Sequence, residues 1–178
     1  MKKILVKSLL YQAVYHLATG LVYTLTLAPA VENQLVKNEK WDALKWMVFA
    51  YGVICIFVLA FFYIRGMYND IDARRVYIEE TRGKEDKSDF YKNALREAGI
   101  FALASLVFQL PGILISSTIG YGYSNAMLVE MLFICDMGIY ERVGVLLGVP
   151  IILIMTFFVS YIGKCAVLRS WEKGRIRK

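Results

Sequence analysis

The sequence predicts an all-α polytopic membrane protein, built as a bundle of four transmembrane helices. Three observations predict it. Hydrophobic residues make up 58% of the 178-residue chain, and the mean hydropathy is +0.49, more apolar than a soluble domain of this length. The charged residues collect in blocks separated by long stretches with none. Those stretches match the thickness of a bilayer.

Span 1 covers about 8–29, span 2 about 46–64, span 3 about 98–119 and span 4 about 143–163. Each is roughly 19–22 residues, enough to cross a ~30 Å core at ~1.5 Å per residue. None contains Asp, Glu, Lys or Arg. Together with loops at about 30–45, 65–97 and 120–142 they form one membrane domain, residues 1–178.

Lys and Arg set the expected orientation. Lys2, Lys3 and Lys7 precede span 1, and eight basic residues occupy 65–97. Lys164, Arg169, Lys173, Arg175, Arg177 and Lys178 follow span 4. These regions hold 17 of the 21 basic residues, so both termini are expected to be cytoplasmic in a plasma membrane. The first 30 residues have a second reading. Ala28 and Ala30 stand in the spacing that signal peptidase reads, after a basic start and an apolar run. The run is longer than a usual signal core and is interrupted by Gln12 and His16, which favours a retained span.

The loop 65–97 balances eight basic against eight acidic residues. "DIDARRVYIEETR" reads as a continuation of span 2. "SDFYKNALREAG" reads as a helix leading into span 3, with Ser88 or Asp89 as cap and Gly83 at the turn between. The expectation is a cytoplasmic helical hairpin, either a solvated connector or a docking surface. The outer loop 120–142 is apolar apart from Glu130, Asp136 and its flanking charges, and too short to span. It reads as a short interfacial or re-entrant helix before span 4, capped by Ser124 or Asn125.

Polar residues inside the spans are the candidate site. Gln12, His16, Thr19 and Tyr23 fall on one face of span 1. Ser105, Gln109, Gly112 and Ser116 recur at the same intervals in span 3. His16 lies ~12 Å and Gln109 ~16 Å from the start of its span, both near the midplane. Spans 1 and 3 run in the same direction, so the spacing predicts Gln12 near Ser105, His16 near Gln109 and Tyr23 near Ser116. Such groups must find partners in hydrocarbon. They either close on each other or line a polar pathway.

Gly144, Gly148, Thr156, Ser160 and Gly163 in span 4 form a face of small residues, suited to close helix packing within the chain or between copies. Pro111 and Pro150 fall in the outer halves of spans 3 and 4. Kinks there would open a pocket between them. Arg169, Lys173, Arg175, Arg177 and Lys178, with Trp171 among them, are expected to contact anionic lipid headgroups. The net charge of +6 is therefore read as membrane-directed, with no nucleic acid partner.

Positive signs of catalysis are missing from the sequence. It holds no H-E-x-x-H, phosphate loop, nucleophile elbow or C-x-x-C. One histidine does not make a typical metal site, and no cofactor is expected. Cys55 reads as a packing residue, and Cys165 stands where juxtamembrane palmitoylation occurs. Two functions stay open. One is a non-catalytic subunit or scaffold in a homo-oligomer or larger membrane complex. The other is a small oligomeric transporter or channel for a neutral or cationic solute. The spans' lack of a carboxylate argues against proton coupling by the usual route.

Overall fold

The computed structural model describes residues 2–27, 29, 40–82, 87–118, 136, 138–140 and 142–176. Among them no strand forms. The elements are α1 (Lys2–Val22), a π-helical turn (Tyr23–Leu27), α2 (Trp41–Tyr68), α3 (Ile71–Glu80), α4 (Ser88–Thr118) and α5 (Val145–Ile176). Among the described residues, three stretches are long and apolar enough to cross a membrane: Lys45–Tyr68, Ser88–Pro111 and Val145–Lys173.

Local chemistry sets the helix ends. Asp42 stands in the first turn of α2 and Arg65 in its last, and Asp89 stands in the first turn of α4. Each complements the helix dipole. The expected continuation of span 2 does not occur. The chain breaks at Asn69 and Asp70, and the Asp70 carboxylate accepts from the Ala73 amide at 3.0 Å to cap a separate helix, α3. The turn expected at Gly83 lies outside the described residues. So do the caps at Ser124 and Asn125, most of the interfacial segment, and the Ala28–Ala30 motif.

The four long helices close a ring in the order α1, α4, α5, α2. Directions follow from the pairs that meet. Tyr51 reaches Thr19 while Tyr63 meets Tyr11, so α1 and α2 are antiparallel. Glu97 meets Lys164, while Ser105 and Thr156 share a cavity, so α4 and α5 are antiparallel as well. α1 and α4 run parallel, with His16 stacked on Phe108 at 5.3 Å.

Two apolar clusters fill the bundle. One joins Tyr15, Val48, Cys55, Leu59, Tyr63 and Phe101. The other joins Ile56, Ile139, Tyr140 and Ile152, with Ile113 and Val149 against it. Ile139 and Tyr140 thus occupy the region between α4 and α5 where the proline pair predicted a pocket. Both helices run through their prolines.

A third cluster forms at the α3 end. Tyr77 of α3 packs on Phe90 of α4 and Trp171 of α5, at 4.8 and 5.7 Å between ring centres. Its hydroxyl donates to Glu172 at 3.0 Å, and Lys87 reaches the same oxygen at 2.6 Å. The hairpin is therefore docked rather than solvated along this face. Trp171, expected at headgroup depth, is only 3% exposed. Arg169 and Lys173 remain exposed, while the side chains of Arg175, Arg177 and Lys178 lie outside the described residues.

Lys164, read from sequence as part of a basic tail, is buried beneath this cluster and ion-paired to Glu97, with its ammonium 5.4 Å from the Tyr63 ring centre. The two partners differ in exposure, at 2% for the Lys164 side chain and 35% for that of Glu97. Removing one member of a buried pair strands the other charge. Glu97→Gln strands an ammonium on a side chain only 2% exposed, and is expected to cost about 3 kcal/mol. Lys164→Met leaves a carboxylate that water reaches, and should cost about 1 kcal/mol or less. Equilibrium unfolding of the two variants in detergent tests this order.

Candidate functional site

A polar cluster lies at the centre of the ring. From α1 come Gln12 and His16, 1% and 4% exposed. From α4 come Ser105 and Gln109, and from α5 comes Thr156. All five line one cavity of about 10 Å³, with Tyr15, Ile56, Leu59, Ile152 and Asp136 completing its wall. The first two predicted rungs, Gln12 with Ser105 and His16 with Gln109, fall around this common centre.

The third expected rung joins Tyr23 to Ser116, whose side chain lies outside the described residues. Thr19 bonds back to the Tyr15 and His16 carbonyls at 2.8 and 3.3 Å, satisfying itself on its own helix. Its own carbonyl accepts from the Tyr51 hydroxyl at 2.6 Å. Tyr23 meets Tyr51 of α2, with ring centres 5.5 Å apart. Nothing of the Gly112 surroundings belongs to the described residues either.

Two members of the cluster come from the segment before α5, where sequence reading placed no partner for the stripes. Asp136 is 3% exposed, and its Oδ2 lies 3.9 Å from His16 Nε2. Tyr140 is 2% exposed, and its hydroxyl donates to Gln109 Oε1 at 2.9 Å. Gln109 Nε2 donates in turn to Ser105 Oγ at 3.1 Å, and Ser105 donates to the Ala102 carbonyl at 2.6 Å. The interior therefore does hold a carboxylate, though no helix span contributes it. The sequence signal was the polarity of Asp136 within an apolar segment. Spacing along that segment could not show that it enters the bundle.

Glycines permit the entry. A Cβ on Gly138 would lie 2.6 Å from both Cγ1 and the carbonyl oxygen of Val48 in α2. A Cβ on Gly148 would lie 2.5 Å from Cδ1 of Tyr140. Gly148 thus seats the Tyr140 ring, and Gly163 is filled by Ile64 of α2. Within the chain, these two glycines of the small-residue face are occupied by α2 and the 138–140 segment. Thr156 and Ser160 are buried. Gly144 stands apart, with φ of +80° in the link into α5 and open space where a Cβ would project. The segment is also tied at its end, where Arg142 lies 4.0 Å over the Trp46 ring and 3.8 Å from Asp42.

A larger cavity of about 370 Å³ lies at the α3 end, walled by Met67, Val76, Tyr77, Phe90 and Leu168, with the Glu97–Lys164 pair on its lining. Among the described residues no group of three His, Cys, Asp or Glu side chains is placed to hold a metal ion. No protein-family model matches this sequence, and no curated protein or solved structure matches it.

Tyr140→Phe removes one buried donor and leaves Gln109 Oε1 unmet. A loss of about 1 kcal/mol is expected, at the low end for an unsatisfied buried group. Gly138→Ala should cost more, about 2 kcal/mol, because the Val48 backbone must move. Unfolding measurements that ranked Tyr140→Phe as the more harmful change would contradict the seating of this segment.

Proposed function

We propose that the chain is a four-span integral membrane protein, with both termini cytoplasmic, that serves as a non-catalytic subunit or scaffold for other membrane or cytosolic proteins. The fourth span is α1 with its π turn. From Ser8 to Leu27 it offers 20 helical residues without a charge, which reach ~30 Å. The lysines that end it, and the basic residues of 65–97 and of the α5 tail, favour the cytoplasmic side for that end of the bundle.

The observation that carries the subunit reading is how the polar rungs meet. Tyr140, Gln109 and Ser105 hydrogen-bond one another, and the space left in the cluster is about 10 Å³. This fits a register-fixing lock better than a solute path. Hydrogen bonds between membrane helices average only ~0.6 kcal/mol net, so they specify geometry more than they stabilise. α3 supplies a surface for a partner. Docked through Tyr77, it presents Asp72, Arg74, Arg75, Glu79 and Glu80 outward.

A transporter reading has one observation in its favour, the His16–Asp136 pair. Buried ionisable pairs at membrane depth recur in ion and proton pathways. The double substitution His16→Leu with Gln109→Leu separates the two. Under the subunit reading, partners still co-purify in mild detergent, and Arg74→Glu with Arg75→Glu weakens that association. A solute flux in proteoliposomes that the double substitution abolishes, in a protein that still folds, would overturn the subunit reading.

A further inference from the structure

His16 Nε2 and Asp136 Oδ2 are 3.9 Å apart, with side chains only 5% and 4% exposed. That separation is too long for a direct hydrogen bond. It suits two groups with a water between them. Two polar atoms on the same cavity wall, Gln12 Nε2 and Asp136 Oδ2, are fully buried and have no hydrogen-bond partner among the described residues. One is a donor and the other an acceptor. The cavity they share with His16 measures about 10 Å³, about the room one water needs.

We propose that one buried water bridges Gln12, His16 and Asp136. Its oxygen accepts from Gln12 Nε2, and its hydrogens point to Asp136 Oδ2 and His16 Nε2. This gives it three protein partners, the usual number for an internal water. The rest of the wall mixes the apolar side chains of Ile56, Leu59 and Ile152 with Ser105, Gln109 and Thr156.

The bridge also makes the two side chains one protonic unit. When the carboxyl group holds the proton, the water accepts it and passes one of its own hydrogens to His16 Nε2. The neutral acid and imidazole become carboxylate and imidazolium. One O–H bond breaks and one N–H bond forms, the water is regenerated, and the net charge is unchanged. In a low-dielectric interior, such internal transfer avoids the cost of an unpaired buried charge.

The inference rests on the membrane reading only in its choice of sample, and membrane integration is checked separately by resistance to carbonate extraction. The chain has a single histidine, so in full-length protein labelled with ¹⁵N-histidine every imidazole signal is His16. Solid-state NMR in lipid bilayers, with a gadolinium chelate quenching bulk water, should show magnetisation passing from a protected water to that imidazole. The transfer should be lost in Gln12→Leu. In Asp136→Asn the ¹⁵N shift of the imidazole should move, because the group across the water no longer exchanges a proton. Overlay of the remaining spectrum establishes that each variant keeps the fold. Absence of the transfer in the wild type, its quenching by the chelate, its persistence in Gln12→Leu, or an unmoved shift in Asp136→Asn would each overturn the proposal.

Discussion

A polar side chain enclosed by apolar helices has to be met by another polar group, because no solvent reaches it. The centre of this bundle is arranged around that constraint. Gln12, His16, Ser105, Gln109 and Thr156 come from three helices, and gathering them around one small cavity fixes how α1, α4 and α5 are rotated. Turning α1 by one residue, about 100°, would carry Gln12 and His16 out to the face that now shows Val14, Leu17 and Leu21. Apolar packing alone penalises such a rotation weakly, since leucine and valine fill space from many angles. The polar rungs penalise it much more. Specificity of arrangement is then the main product of the stripe, and net stability a minor one.

The same constraint explains why Asp136 and residues 138–140 enter the bundle. The α1 and α4 stripes cannot satisfy each other alone. Gln109 donates to Ser105, which leaves its Oε1 open, and Tyr140 supplies the donor. The phenol also fills the space beside Gly148, so one residue serves the polar centre and the apolar cluster together. Gly138 lets the backbone pass Val48, and Arg142 anchors the exit against Trp46 and Asp42. Each of these features is local, but together they place a carboxylate beside the chain's one histidine.

The helical class and the two central rungs could be read from the sequence because both depend on periodicity. Residues four apart on a helix share a face whatever the tertiary fold, so Gln12 with His16 and Ser105 with Gln109 were legible. Asp136 and Tyr140 were not, since spacing within one short apolar segment does not reveal what it folds against. Lys164 was misread for a related reason. As one of several cations after an apolar run it read as part of the basic tail, and only its position opposite Glu97, 67 residues away, makes it an interior ion pair. Trp171 follows the same logic. Its amphipathic ring suits an interface, and the helix that starts at the Asp70 break brings Tyr77 against it.

Two ionisable pairs thus lie at different levels of the bundle, His16 with Asp136 at the centre and Lys164 with Glu97 at the α3 end. Each joins elements distant in sequence, α1 to the 136–140 segment and α4 to α5. They differ in contact. Lys164 meets Glu97 directly, within reach of water at the carboxylate, and acts as a fixed tie. His16 and Asp136 are both enclosed, and their separation exceeds a hydrogen bond. An enclosed pair that does not touch stays adjustable, because a proton can move between its members without changing the net charge of the interior. The tie can therefore be lost only at a cost to folding. With the proposed water between its members, the central pair can change protonation state at constant net charge.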